Sequence, residues 1–219
     1  MLVALDGPAG AGKSSLARAL QRRRGFRLVG TGSLYRAVAA MALEQGIALE
    51  DEPALASLAR GLRFALVGEP GEERLEVDGR PEGAWLRGEM VASATSQVSA
   101  LPEVRAALLA TQRRLAREAA HAVLEGRDIG TVVLPDADLK VYVTADVGVR
   151  AQRRLAQGED TQRSLAEIEA AIAERDLRDE GRAVAPLTRA ADARLLDTSG
   201  LSEEEAIATL LAWVDEVMV

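Results

Sequence analysis

Short unbroken apolar runs alternate along this chain with stretches in which apolar residues recur every three or four positions. Leu2 to Leu5 is too brief for a helix and predicts a strand that ends at Asp6-Gly7. Near Lys13 the spacing changes, and Leu16, Ala17 and Leu20 predict a helix. Phe26 to Val29 predicts a second strand, and a second helix follows from about Ser33 to Gln45. Residues 62–67 and 73–78 read as strands around a loop at 68–71, with Asp78-Gly79 as a tight turn. Pro102 suits the first turn of a long helix, 102–120, with Val104, Leu108, Thr111 and Leu115 along one face. His121 to Glu125 and Leu139 to Thr144 are further strands, and Asp146 can cap the helix that follows. Residues 158–163 are polar and loop-like, and a charged helix runs from about Ser164 to Arg182. Arg194 to Leu196 predicts the last strand, and Ser202-Glu203-Glu204-Glu205 carries the capping-box pattern that opens a final helix.

Strands alternating with helices predict an α/β fold, a parallel sheet flanked by helices with ligands at the carboxyl ends of the strands. The strand pair sits where such a fold expects a helix, so residues 61–90 read as a small β-rich insertion. At 219 residues and 48% hydrophobic, the chain can bury one sizeable core. A net charge of −7 argues against a general nucleic-acid binder, so any bound anion must be gripped by local clusters. The absence of cysteine excludes disulfides and thiolate metal sites and fits a reducing cytoplasm. Neither a leader nor a membrane span is read. Lysine occurs only at Lys13 and Lys140. Asparagine is absent, which removes a guanine-reading Asn-Lys-x-Asp motif.

Gly7-Pro8-Ala9-Gly10-Ala11-Gly12-Lys13-Ser14, followed by Ser15, fits the phosphate-loop pattern G-x-x-x-x-G-K-[S/T] between a strand and a helix. Its backbone N–H groups can curl round a β-phosphate, with Lys13 reaching the β- and γ-phosphates of a nucleotide and the Ser14 hydroxyl ligating Mg²⁺. Hydrolase, switch and kinase all remain open on that loop alone. A second anion site would favour a kinase, and several clusters could form one. Arg175, Arg178, Asp179 and Arg182 share one helix face, and Arg150, Arg153, Arg154 and Gln157 repeat the arrangement on the preceding helix. The same spacing also fits a solvated, salt-bridged face. Glu125-Gly126-Arg127-Asp128-Ile129-Gly130-Thr131 follows a strand, where charges point into the ligand crevice, and Tyr35-Arg36 stands one turn into the second helix. His121, the sole histidine, reads as structural beside its apolar strand.

The segments "LDGPAGAGKSS", "TGSLYRA", "TSQVSALPEVR", "EGRDIGTVV" and "ERDLRDEGRAVAPL" resemble, in this order, the signatures of the bacterial cytidylate kinases. The resemblance implies a P-loop nucleoside monophosphate kinase fold of one domain. Its core would comprise 1–31, 101–149 and 184–219, its acceptor-binding lobe 32–100 with the insertion at about 61–90, and its helical lid about 150–183. It implies transfer of the γ-phosphoryl group of ATP, with Mg²⁺, to CMP or dCMP in a cytoplasmic enzyme; a monomer is expected. Ser96, Arg105 and Asp128 fall where the family reads cytosine, and Arg36 and Arg127 where it grips the acceptor phosphate. Thr31 and Tyr35 line the same pocket, and Asp179 faces the sugar. Arg175 and Arg182 match arginines of the mobile lid. With Lys13 and Arg127 they make up the implied catalytic set. Two departures are Gly30, where the family usually carries an acidic residue, and Ser14-Ser15, where many members have Gly-Thr.

The base-reading residues also make chemical sense alone. Cytosine offers an amine donor beside ring acceptors, so Asp128 can accept and Arg105 donate; uracil would set a carbonyl against Asp128. A kinase for UMP or AMP, or an ATP-gated switch, are the competing readings. An acceptor phosphate oxygen is already anionic, so no general base is needed, and the requirement is in-line positioning and charge neutralisation. A polar loop around Gly158 could let a lid close once both nucleotides are bound.

Overall fold

Five parallel strands form the central sheet in the order β2-β6-β1-β7-β8 in the computed structural model, which describes residues 1–69, 71–156 and 163–218. These are β1 (Leu2–Asp6), β2 (Arg27–Gly30), β6 (Ala122–Gly126), β7 (Leu139–Thr144) and β8 (Arg194–Asp197). The registers place Asp6 beside Gly126 and Gly30 beside Glu125, so the loops after β1, β2 and β6 leave the sheet at one edge. Helices α1 (Lys13–Arg24), α2 (Thr31–Gln45), α3 (Glu52–Gly61), α4 (Glu89–Val98), α5 (Pro102–Arg117), α6 (Val147–Ala156), α7 (Leu165–Glu180) and α8 (Glu203–Met218) surround it.

Alternation along the strands divides the core into two layers. Val3, Leu5, Val123, Val141 and Val143 face α1 and α8. Ala4, Val29 and Leu124 face the layer that contains α2, α3, α4 and α5. Helices α6 and α7 pack on each other round a small separate cluster of Ala151, Ile168 and Ile172. That cluster is much smaller than either main layer, so α7 is held to the rest chiefly by polar contacts. Among the described residues no helix is long and apolar enough to cross a membrane.

The insertion is a three-stranded antiparallel sheet of β3 (Phe64–Val67), β4 (Arg74–Val77) and β5 (Arg80–Pro81). The expected tight turn is present: Asp78 and Gly79 both have positive φ, 51° and 78°, as a type I′ hairpin turn requires. The expected capping box before α8 forms, and a second one opens α7. Ser164 and Glu167 exchange bonds at the start of α7, as do Ser202 and Glu205 before α8. Asp146 precedes α6, and its carbonyl accepts from the Arg150 N–H. The periodicity does not reveal α3 or α4. One turn of wider π-type helix, Ile129–Val133, follows the acidic and basic pair Arg127-Asp128.

Candidate active site

The donor loop starts where β1 runs out of room. Gly7 has φ 145°, and a Cβ there would fall 1.9 Å from the Val143 carbonyl oxygen on β7. Gly10 and Gly12, with φ 77° and 96°, complete the curl before α1 begins at Lys13. The Lys13 ammonium turns back to donate to the Pro8 carbonyl at 2.7 Å. Burial, reinforced by Arg127, pushes its pKa down to about 7. Across the loop, the Ser14 hydroxyl lies 2.9 and 2.7 Å from the two oxygens of Glu125 at the end of β6. Glu125 also explains how the Gly30 departure is accommodated. A Cβ at Gly30 would lie 3.6 Å from Glu125 Oε1, so a carboxylate occupies this corner from the neighbouring strand.

On the acceptor side, Arg105 reaches from α5 to donate to the Ser99 carbonyl at 2.9 Å and to Asp128 Oδ2 at 2.5 Å. Its guanidinium lies 5.5 Å from the Tyr35 ring centre, and the Tyr35 hydroxyl accepts from Gln112 at 3.3 Å. Arg105 Nε is buried with no protein partner, a donor left for something else. Arg36 donates to the Ser33 hydroxyl at 2.8 Å, and that hydroxyl donates to Glu82 of the insertion at 2.8 Å.

Asp179 joins the two sides. One of its oxygens accepts from Arg127 at 2.7 Å and the other from Arg182, which also reaches the Ser99 hydroxyl at 3.2 Å. Burial alone would raise the Asp179 carboxyl, but Arg127 and Arg182 hold it below the usual carboxylate range. Arg175 stands one turn earlier on α7. Burial, and then Arg127, lower its pKa to about 10, and its Nε has no protein partner. Two neighbouring guanidinium groups in a buried place call for a further anion between them.

These groups open on one cleft of about 820 Å³, lined by the loop from Ala9 to Ser15, by Thr31, Tyr35, Arg36, Arg105, Arg127 and Asp128, and by Arg175, Asp179 and Arg182. The expected residues that do not line it are Gly7 and Pro8, which shape the loop from behind, and Ser96, whose hydroxyl instead bonds Arg178 at 3.0 Å. The two arginine faces therefore divide. Arg178 points out to α4, whereas Arg175 and Arg182 point in. Arg150 lies beneath the donor loop, donating to the Ala9 and Ala145 carbonyls and to Asp176 at 2.5 Å. Arg153 holds Thr198 at the far end of the cleft, and Arg154 lines the cleft. Gln157 and the loop around Gly158 lie outside the described residues. His121 is at the opposite end of β6, 5.4 Å from the Phe26 ring and 3.2 Å from the N-terminal amine.

Sequence reasoning passed over Glu125, Ser99 and Gln112. The first stands inside a quoted motif with no role given it. Gln112 follows Arg105 by two helical turns, a spacing that puts both on one face of α5.

A family model described as "Cytidylate kinase" matches residues 3–216. The chain is 47% identical to a cytidylate kinase of Rhodococcus opacus, over 99% of this chain and 95% of that one. It is 46% identical to one of Rhodococcus jostii, with the same coverage. Among solved structures, an uncharacterized protein from Eubacterium ventriosum covers 99% of this chain and 98% of its own, with a TM-score of 0.57 at 12% identity, a likeness of fold alone.

Proposed function

The chain belongs to the cytidylate kinase family, and from that premise we propose how its own residues move the γ-phosphoryl group of ATP to CMP or dCMP, giving ADP and CDP or dCDP. The observation that carries the assignment of roles is that donor loop, base-reading pair and arginine cluster all face one cleft. The core (1–31, 101–149, 184–219) would hold the donor, the lobe 32–100 the acceptor, and the segment of about 150–183 would act as the lid.

In this reading the backbone of Gly10, Gly12 and Lys13 receives the donor phosphates, and the Lys13 ammonium leaves the Pro8 carbonyl to bind the β- and γ-oxygens. Asp128 accepts from the cytosine amine while Arg105 donates to the ring acceptors, its free Nε among the available donors. Thr31 and Tyr35 line the acceptor pocket. Arg36 and Arg127 fix the acceptor phosphate so that one anionic oxygen points along the donor P–O axis, which removes the need for a base. Arg175 and Arg182 meet the charge that spreads over the equatorial oxygens in transit.

The Ser14 hydroxyl and the Glu125 carboxylate, side by side at the loop, are hard oxygen donors suited to Mg²⁺. When bound, that ion supplies charge neutralisation at the β- and γ-oxygens. Asp179 serves as the brace between Arg127 and Arg182, with the acceptor sugar beside it. We read the enzyme as a monomer, which light scattering tests.

The direct experiment supplies ATP and Mg²⁺ with a panel of nucleoside monophosphates and assays ADP and the diphosphate product. CMP and dCMP should lead by a wide margin. Equal use of UMP would remove Asp128 from the reading of the base.

A further inference from the structure

We propose that Asp6 is a positioning residue for acceptor recognition, its carboxylate holding the backbone of residues 129 and 130 so that Arg127 and Asp128 face the acceptor. This inference rests on the reading of Arg127 and Asp128 given above.

Asp6 is the last residue of β1 and only 5% exposed. One carboxylate oxygen accepts the Ile129 N–H at 2.7 Å and the other accepts the Gly130 N–H, also at 2.7 Å. These two groups open the π-type turn, where no carbonyl within the turn reaches them. A single turn has too few internal bonds to hold its own orientation. Its far end is tied by Arg113, which donates to the Val132 and Val133 carbonyls at 2.9 Å each. Its near end is tied, among the described residues, by the side chain of Asp6. The clamped pair directly follows Asp128 in the chain, and Arg127 lies one residue further back. Two bonds to one carboxylate fix rotation as well as position, so they set the direction in which both side chains leave the backbone.

Two details show that the arrangement is built for this contact. Gly130 keeps the approach open: a Cβ there would lie 3.1 Å from Lys140 Cδ and 3.4 Å from Asp6 Oδ2. The charge is also held at a cost. Burial, with Asp128 adding to it, raises the Asp6 carboxyl to about 6 in spite of both N–H donors and nearby Lys13. An amide of the same size would avoid that cost, yet it accepts at only one of its two atoms. Asp6 also immediately precedes Gly7, the first glycine of the donor loop, and pairs in register with Gly126. The same residue therefore ends the strand that launches the donor loop and aims the segment that reads the acceptor.

The test compares Asp6→Asn and Asp6→Ser with Asp128→Asn. For each, kcat and KM are measured with CMP and with UMP, and ADP affinity is measured by calorimetry. Asp6→Asn should raise the KM for CMP roughly ten-fold and narrow the CMP-over-UMP preference by a similar factor, leaving ADP affinity within about two-fold. If Asp128→Asn leaves the preference intact, the reading of the site itself fails. If Asp128→Asn collapses the preference but both Asp6 variants keep the original KM and preference, the Asp6 inference alone is wrong. Equal losses of donor and acceptor affinity would also overturn it, since they mark a general structural role. Amide hydrogen exchange on the unaltered protein decides the matter should the variants not fold. CMP should slow exchange at Ile129 and Gly130 more than UMP does, and equal slowing counts against the proposal.

Discussion

Lys13 carries its charge at a disadvantage in the empty protein, because burial has lowered its pKa from 10.5 to about 7. Between those values the unfolded chain binds more protons than the folded one, so this group makes stability rise with pH across that window. Lys13→Met should therefore stabilise the empty protein at pH 7, and the gain should shrink towards pH 10; urea midpoints across that range check both halves. On the role proposed above, Arg175, with its unpartnered Nε, should behave differently, because it would act on the charge that spreads in transit. Arg175→Ala should lower kcat by about a thousand-fold while CMP affinity changes only a few-fold, read by steady-state kinetics beside calorimetry. Near-normal turnover would take Arg175 out of the catalytic set. At this scale the sequence motifs point to Lys13, Arg105 and Asp128, which the structure brings to one cleft. Glu125 was not legible as the carboxylate beside Gly30, because that depends on the register between β2 and β6, which no local pattern encodes.

Among the elements, the turn from β1 into the donor loop is the least forgiving. Gly7→Ala forces a Cβ into the Val143 carbonyl at a φ that side chains avoid, and should cost roughly 2–4 kcal/mol and the donor site with it. Gly30→Ala is the matched control, since its nearest neighbour would be an ordinary 3.6 Å away. Denaturation midpoints should separate the two variants clearly. Helices with explicit end chemistry, α7 and α8, are predictable from Ser164 and Ser202. Helix α4 is hidden because it starts at Gly88, with φ 99° and no side-chain cap, and buries only Ala94, Thr95 and Val98. The π-type turn is equally hidden, since what holds it comes from Asp6 and Arg113, both distant in sequence from one end or the other.

The whole molecule is acidic, with a net charge of −7, yet its cleft gathers Lys13, Arg36, Arg127, Arg175 and Arg182. The polyanionic substrates thus find a local field opposite in sign to the protein's average. The contact from Asp179 to Arg127 binds α7 to the residue after β6, so occupancy of one half should be felt in the other. A non-hydrolysable ATP analogue and CMP together should raise Tm by more than the sum of their separate effects; strict additivity would mean uncoupled halves.

The pairing of Asp6 with Gly126 has a consequence for anyone wishing to re-engineer the acceptor. Strand β6 and the residues just after it carry side chains turned to both halves of the cleft, Glu125 towards Ser14 and Asp128 towards Arg105. On the proposed roles, a library that randomises this segment would therefore disturb the contacts of the phosphate loop as often as it changed base choice. Thr95 lines the same cleft from α4. Directed evolution of base choice has its freest ground there, with the strand end left untouched.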